Sequence, residues 1–171
     1  MTTPDILVLV IAAAAGYAVG SLPVSAWVAR AGGPGWGLLA LTVDLSKGVL
    51  PVALATVTWS WAAGWAAGLG VLGGACWPAL GRIPRGRWGT VFAGVAFALA
   101  PPAGIVAILL ALLVAGVVRM LGRNWRFAAI GVGAGTYPLL FFAAYPDPAR
   151  LALLMCLYLV ALVRLVATRQ G

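Results

Sequence analysis

Long apolar runs, broken by short clusters of Gly, Pro, Trp and Arg, divide the chain into segments near 6–29, 36–58, 61–80, 88–100, 102–121, 126–144 and 150–167. The runs do not alternate polar with apolar positions, as the strands of a membrane barrel would. Most are close to the roughly 20 residues that a helix needs to cross a bilayer. The pattern predicts an all-α polytopic membrane protein. It would be a compact bundle of about seven transmembrane helices, forming a single integral membrane domain over 1–171. The fourth segment is short, and is expected to be tilted, half-inserted or fused with the fifth around Pro101-Pro102. Pro23 is expected to kink the first helix, because a proline in a helix interior removes a hydrogen bond.

Charge then orients the segments. With the N-terminus outside, the inner loops and the C-terminal end carry Arg30, Arg82, Arg85, Arg87, Arg119, Arg123, Arg126, Arg164 and Arg169, nine of the eleven basic residues. Arg150 falls in an outer loop and Lys47 within a span, while Asp5 and Asp147 fall outside. Basic residues accumulate on the cytoplasmic side of short loops, so the expected topology is N-terminus outside and C-terminus cytoplasmic. The opening MTTPDILVLV has no basic stretch before its apolar run, and is read as the start of a span rather than a secretory leader. Trp59, Trp61 and Trp65 at an outer boundary, and Trp36, Trp88 and Trp125 at inner ones, are expected to anchor at headgroup level. Glycines spaced four apart, at 16 and 20, 64 and 68, 70 and 74, and 131 and 135, would let helices pack closely.

Composition narrows the chemistry. The 171 residues are 64% hydrophobic with mean hydropathy +1.08, against about 45–50% apolar in a soluble domain. The lipid bilayer is therefore the first expected partner. A net charge of +8 would suggest nucleic acid in a soluble protein. Here loop placement accounts for it, and no nucleic acid is expected. The chain has no His and no Glu, its acids are Asp5, Asp44 and Asp147, and Asn124 is its one Asn. That excludes Ser-His hydrolysis, His-ligated metal and paired-Glu catalysis, and no metal or cofactor is expected. Cys76 and Cys156 lie in apolar stretches and are read as two buried thiols.

Two polar stretches stand out. Asp44-Leu45-Ser46-Lys47-Gly48 sits inside an apolar segment, where each charge costs about 2.5–3.5 kcal/mol at a helix centre. Spaced i, i+3, the pair shares a helical face. It is either a functional site or an ion pair locking the helix in place. Arg82-Ile83-Pro84-Arg85-Gly86-Arg87-Trp88-Gly89 places three arginines within six residues. A glycine turn between guanidinium forks suits a phosphate, although any short inner loop attracts Arg. Gly122-Arg123-Asn124-Trp125-Arg126 is a second basic turn, and Ser21 and Ser25 read most simply as helix-packing hydroxyls.

Taken in order, four stretches resemble the bacterial acyl-phosphate:glycerol-3-phosphate acyltransferase (PlsY-type) family. They are Gly20-Ser21-Leu22-Pro23-Val24-Ser25 followed by Arg30, Asp44-x-x-Lys47-Gly48-x-x-Pro51, Gly74-Ala75-Cys76-Trp77-Pro78, and the arginine loop leading to Thr90-Val91-Phe92-Ala93-Gly94. The resemblance covers roughly 6–105 by motif and the remainder by topology. It implies seven spans and a cytoplasmic-side site in the bacterial inner membrane. It also implies transfer of an acyl group from acyl phosphate to glycerol 3-phosphate in phospholipid synthesis. Phosphate binding would fall to Lys47, Arg85, Gly86 and Arg87, with Ser21, Arg30 and Asp44 in support.

The site is degenerate by the family pattern. Ala75 replaces a His, and Arg87 replaces a Lys in a Lys/Gly-rich loop. Residues 31–43 contain no Ser or Asn, where the family carries Ser-Gly-Asn-Pro-Gly-Ala-Thr-Asn. The C-terminal Asn/Glu motif is missing too. Other readings stand beside a divergent acyltransferase. One is a non-catalytic paralogue that binds a lipid, acyl phosphate or a partner enzyme. Another is a small transporter or structural membrane protein, against which the chain shows no internal repeat.

Overall fold

The structure is a computed structural model and describes residues 3–32, 36–79, 88–120 and 125–169. Among these residues every regular element is a helix: α1 (Thr3–Ser21), α2 (Val24–Gly32), α3 (Gly37–Thr58), α4 (Trp61–Cys76), α5 (Trp88–Leu99), α6 (Pro101–Met120), α7 (Trp125–Ala144) and α8 (Pro148–Arg169). Helices satisfy their own backbone groups, which hydrocarbon cannot do. Asp5–Gly32, Gly37–Thr58 and Pro101–Met120 are long and apolar enough to cross a membrane, and shorter apolar helices follow α3 and α6.

The elements follow the expected segments, with informative departures. The first segment is interrupted at Pro23, as expected, and forms two helices, α1 and α2. The short fourth segment is a separate helix, α5, parted from α6 at Ala100. Helix α3 continues through Pro51. Ser60 starts α4 as an N-cap, its side chain accepting from Ala63 N at 3.2 Å.

The chain divides into two compact units: residues up to Leu99 together with those from Cys156 onward, and Ala100–Met155. In the first unit α1 packs on α4, and α3 packs on α2, α4 and α5. Its interior is built of small residues, including Ala12, Ala40, Ala55, Ala63 and Ala67, around Val52, Val71 and Val95. Large apolar side chains such as Leu54, Val57 and Leu38 face outward. Such an inside-out arrangement is stable in lipid, where close backbone approach rather than apolar burial drives packing.

The expected glycine pairs of α1 and α4 meet each other's helices. A Cβ on Gly16 or Gly20 of α1 would strike the carbonyl oxygen of Ala67 or Val71. One on Gly70 or Gly74 of α4 would strike that of Ala13 or Tyr17. Gly64 and Gly68 instead face Thr56 and Val95, whereas Gly135 has open space around it. Two expectations need correction. Trp65 is not a headgroup anchor: it is 1% exposed and packs edge-on to Trp61 at 5.4 Å, because it lies on the inward face of α4. Cys156 is exposed, while Cys76 is buried as expected.

In the second unit α6 packs on α7. Tyr137, Phe141 and Tyr145 make tilted ring contacts along α7 and beyond its end, with Arg150 5.1 Å from the Tyr145 ring centre. Asp147 caps α8, accepting from Ala149 N at 3.0 Å, with Pro148 at the first helical position.

Candidate functional site

The site grows from the break between α1 and α2. Leu22 N still reaches back to Val19 O at 3.3 Å, but Pro23 has no N–H to extend the ladder. In an unbroken helix the Leu22 carbonyl would accept from Ala26 N. Ala26 N and Trp27 N both donate to the Pro23 carbonyl instead, at 3.0 and 3.1 Å, which starts α2. Lys47 of α3 supplies the substitute donor, its Nζ donating to the Leu22 carbonyl.

Lys47 and Asp44 share one face of α3, as their spacing predicts, with Nζ 3.6 Å from the carboxylate. Both are buried. The buried polar residues of the described chain are these two with Ser21 and Ser25, all on α1, α2 and α3. Ser21 Oγ donates to Tyr17 O at 2.8 Å, as a packing hydroxyl does. Tyr17 in turn donates its hydroxyl to the Trp77 carbonyl at 2.7 Å. One turn of α1 thus ties the end of α4 to the helix break. Arg30 lies exposed in the last turn of α2, where a cation complements the helix dipole.

Arg85, Gly86 and Arg87 lie outside the described residues. The flanking helices α4 and α5 both pack on α3, and α5 is fixed closely. A Cβ on Gly48 would strike the Val91 carbonyl, and one on Gly94 the Leu45 carbonyl. Gly48, beside Lys47, is therefore a packing residue whose contact the motif alone did not reveal. The Tyr17–Trp77 bond was also missed, because a backbone acceptor leaves no mark in the sequence.

Between α1 and α3 runs an apolar groove of about 810 Å³, reaching from Val24 and Lys47 to Trp59. Its hydroxyls, Thr42, Ser46 and Thr58, each donate to their own helix at 3.0, 2.9 and 2.7 Å. The wall therefore offers little to a polar ligand and suits an alkyl chain. No cluster of three metal-ligating side chains occurs among the described residues.

The family model described as "Glycerol-3-phosphate acyltransferase" matches residues 28–170. That span contains Arg30, Asp44, Lys47 and the arginine loop. It also takes in the C-terminal third, where motif resemblance is weak, and omits α1 with Ser21. No curated protein matches. Two solved structures of PlsY (YgiH), an integral membrane glycerol 3-phosphate acyltransferase, share the fold. The lysophosphatidic acid form has TM-score 0.74 at 20% identity, covering 91% of this chain and 87% of that one. The glycerol 3-phosphate form has TM-score 0.75 at 19% identity, covering 95% and 90%.

Proposed function

The chain belongs to the glycerol-3-phosphate acyltransferase family, and we propose that it transfers an acyl group from acyl phosphate to glycerol 3-phosphate. It would do so in the bacterial inner membrane, with its N-terminus outside and its site on the cytoplasmic side. The observation that carries this reading is the family match over 28–170, because it includes both the Asp44–Lys47 segment and the arginine loop. The one-sided distribution of arginine supports the topology. The alkyl-lined groove supports an acyl substrate.

In this reaction the glycerol hydroxyl oxygen attacks the acyl carbonyl carbon. The bond from that carbon to the phosphate oxygen breaks, and inorganic phosphate leaves. The hydroxyl proton must end on a base. With no His or Glu in the chain, and with the Asp44 carboxylate beside Lys47, the departing phosphate is the best-placed acceptor. The protein's part is then to position two substrates and to neutralise phosphate charge. Arg85 and Arg87, around Gly86, are proposed to hold phosphate through guanidinium forks, with Arg30 adding positive charge on the same side.

Purified protein in liposomes, given labelled glycerol 3-phosphate and acyl phosphate, is expected to make lysophosphatidic acid. Arg87→Ala should lower kcat/KM by about 10–100-fold, the worth of a charge-assisted hydrogen bond. A second reading is favoured by the absence of Ser and Asn from 31–43 and of His from the chain, namely a non-catalytic relative that binds acyl phosphate. Folded protein that binds acyl phosphate and yields no product would decide for it.

A further inference from the structure

We propose that Lys47 is a positioning residue: held by Asp44, it clasps the carbonyl of Leu22 and so fixes the direction in which α2 leaves α1. The role rests on geometry. Only its consequence for turnover rests on the function proposed above.

The need for a clasp follows from Pro23. Once Ala26 N and Trp27 N have turned to the Pro23 carbonyl, the Leu22 carbonyl has lost its helical donor. An unsatisfied backbone group in hydrocarbon costs several kcal/mol. A side chain can supply the missing donor. Lys47 reaches it from 25 residues along the chain.

The clasp is anchored at its other end. Asp44 sits 3.6 Å from the ammonium and balances its charge. Gly48, the next residue, packs flush on α5 near Val91, which holds α3 against sliding. Each part of Asp44-x-x-Lys47-Gly48 therefore has a job: counter-charge, clasp and anchor. What the clasp governs is α2, a nine-residue helix carrying buried Ser25 and, in its last turn, Arg30. If α2 swings, Arg30 swings with it. The ammonium reaches a backbone oxygen and a carboxylate, contacts that suit a strut.

The test measures α2 directly. Spin labels are placed at Trp27→Cys on α2 and Leu38→Cys on α3, both exposed positions. The background carries Cys156→Ala, with buried Cys76 left in place. The variant is Asp44→Asn/Lys47→Met, which removes both charges together, because Lys47→Met alone would take the ammonium away from the buried Asp44 carboxylate. The parent should show one narrow distance distribution, and the variant a shifted or broadened one. An unchanged distribution in folded variant overturns the proposal.

Pro23→Ala adds an internal control. It should let the helix run on and return Ala26 N to the Leu22 carbonyl, so the neutral pair should perturb the distance less in that background. An equal perturbation in both backgrounds also overturns the proposal. Where the parent is active, the neutral pair should cut kcat by about tenfold or more while each KM stays within about threefold. A KM rise of about tenfold with unmoved labels would make Lys47 a substrate ligand and sink the clasp. The distance measurement stands whether or not the parent turns over, so failure of the clasp and failure of the acyltransferase reading remain separate results.

Discussion

The two compact units of the chain carry the same kind of apolar helix, yet they are constrained in different ways. The unit built on α1–α5 holds every buried polar residue of the described chain, and most of its described glycines leave no room for a Cβ against neighbouring backbones or side chains. The unit built on α6 and α7 has no buried polar residue among those described. Gly116 and Gly135 there have open space, Gly133 meets only the Ala111 side chain, and tilted aromatic pairs run along α7. Hydropathy alone does not separate the two. The contrast shows where sequence is under geometric demand: lipid accepts almost any apolar helix surface, whereas a polar junction inside lipid requires each neighbour to be placed.

That contrast can be broken by substitution, and the largest effect should come from the junction. Asp44→Ala leaves the Lys47 ammonium buried without its counter-charge, and should destabilise the protein by about 3–5 kcal/mol. Unfolding in detergent measures this, and a loss below about 1 kcal/mol would mean that water reaches the pair. Next comes Gly20→Leu, whose side chain must displace the Val71 backbone. A loss of about 1–3 kcal/mol or more is expected, visible as a lower midpoint in the same experiment. A midpoint equal to that of the parent would show that α1 and α4 do not touch there.

Smaller effects belong to the second unit. Asp147→Ala removes the cap of α8 and should cost about 1 kcal/mol, whereas Asp147→Asn, which still accepts a hydrogen bond, should restore most of it. Smallest of all, Gly135→Ala enters open space within α7 and should be neutral or stabilising by up to about 1 kcal/mol. A clear loss would reveal a close contact at that helix surface and erase the difference between the units.

Much of this was legible in the sequence. The helices follow their apolar runs because hydrocarbon leaves the backbone no other choice, and Pro23 marked the one span that divides. The face shared by Asp44 and Lys47 followed from their spacing, and close packing at the glycines of α1 and α4 from theirs, though not that these two helices meet. Trp65 misled, since a tryptophan near a helix end serves an interface or a core equally well. Cys156 misled because an exposed surface in lipid is as apolar as an interior. The acceptor for Lys47 could not be read at all: every residue has a carbonyl, and only the broken helix shows which one needs a donor. Arg85, Gly86 and Arg87 remain a proposal from motif and charge.

The most direct test of the account is the stoichiometry of the proposed reaction. Protein in liposomes is given acyl phosphate with and without glycerol 3-phosphate, and inorganic phosphate and lysophosphatidic acid are counted together. The account predicts phosphate release that depends on glycerol 3-phosphate and equals the lysophosphatidic acid formed, both falling together in Arg85→Ala/Arg87→Ala. Phosphate released without lysophosphatidic acid, or no glycerol 3-phosphate-dependent release from folded protein, would contradict it.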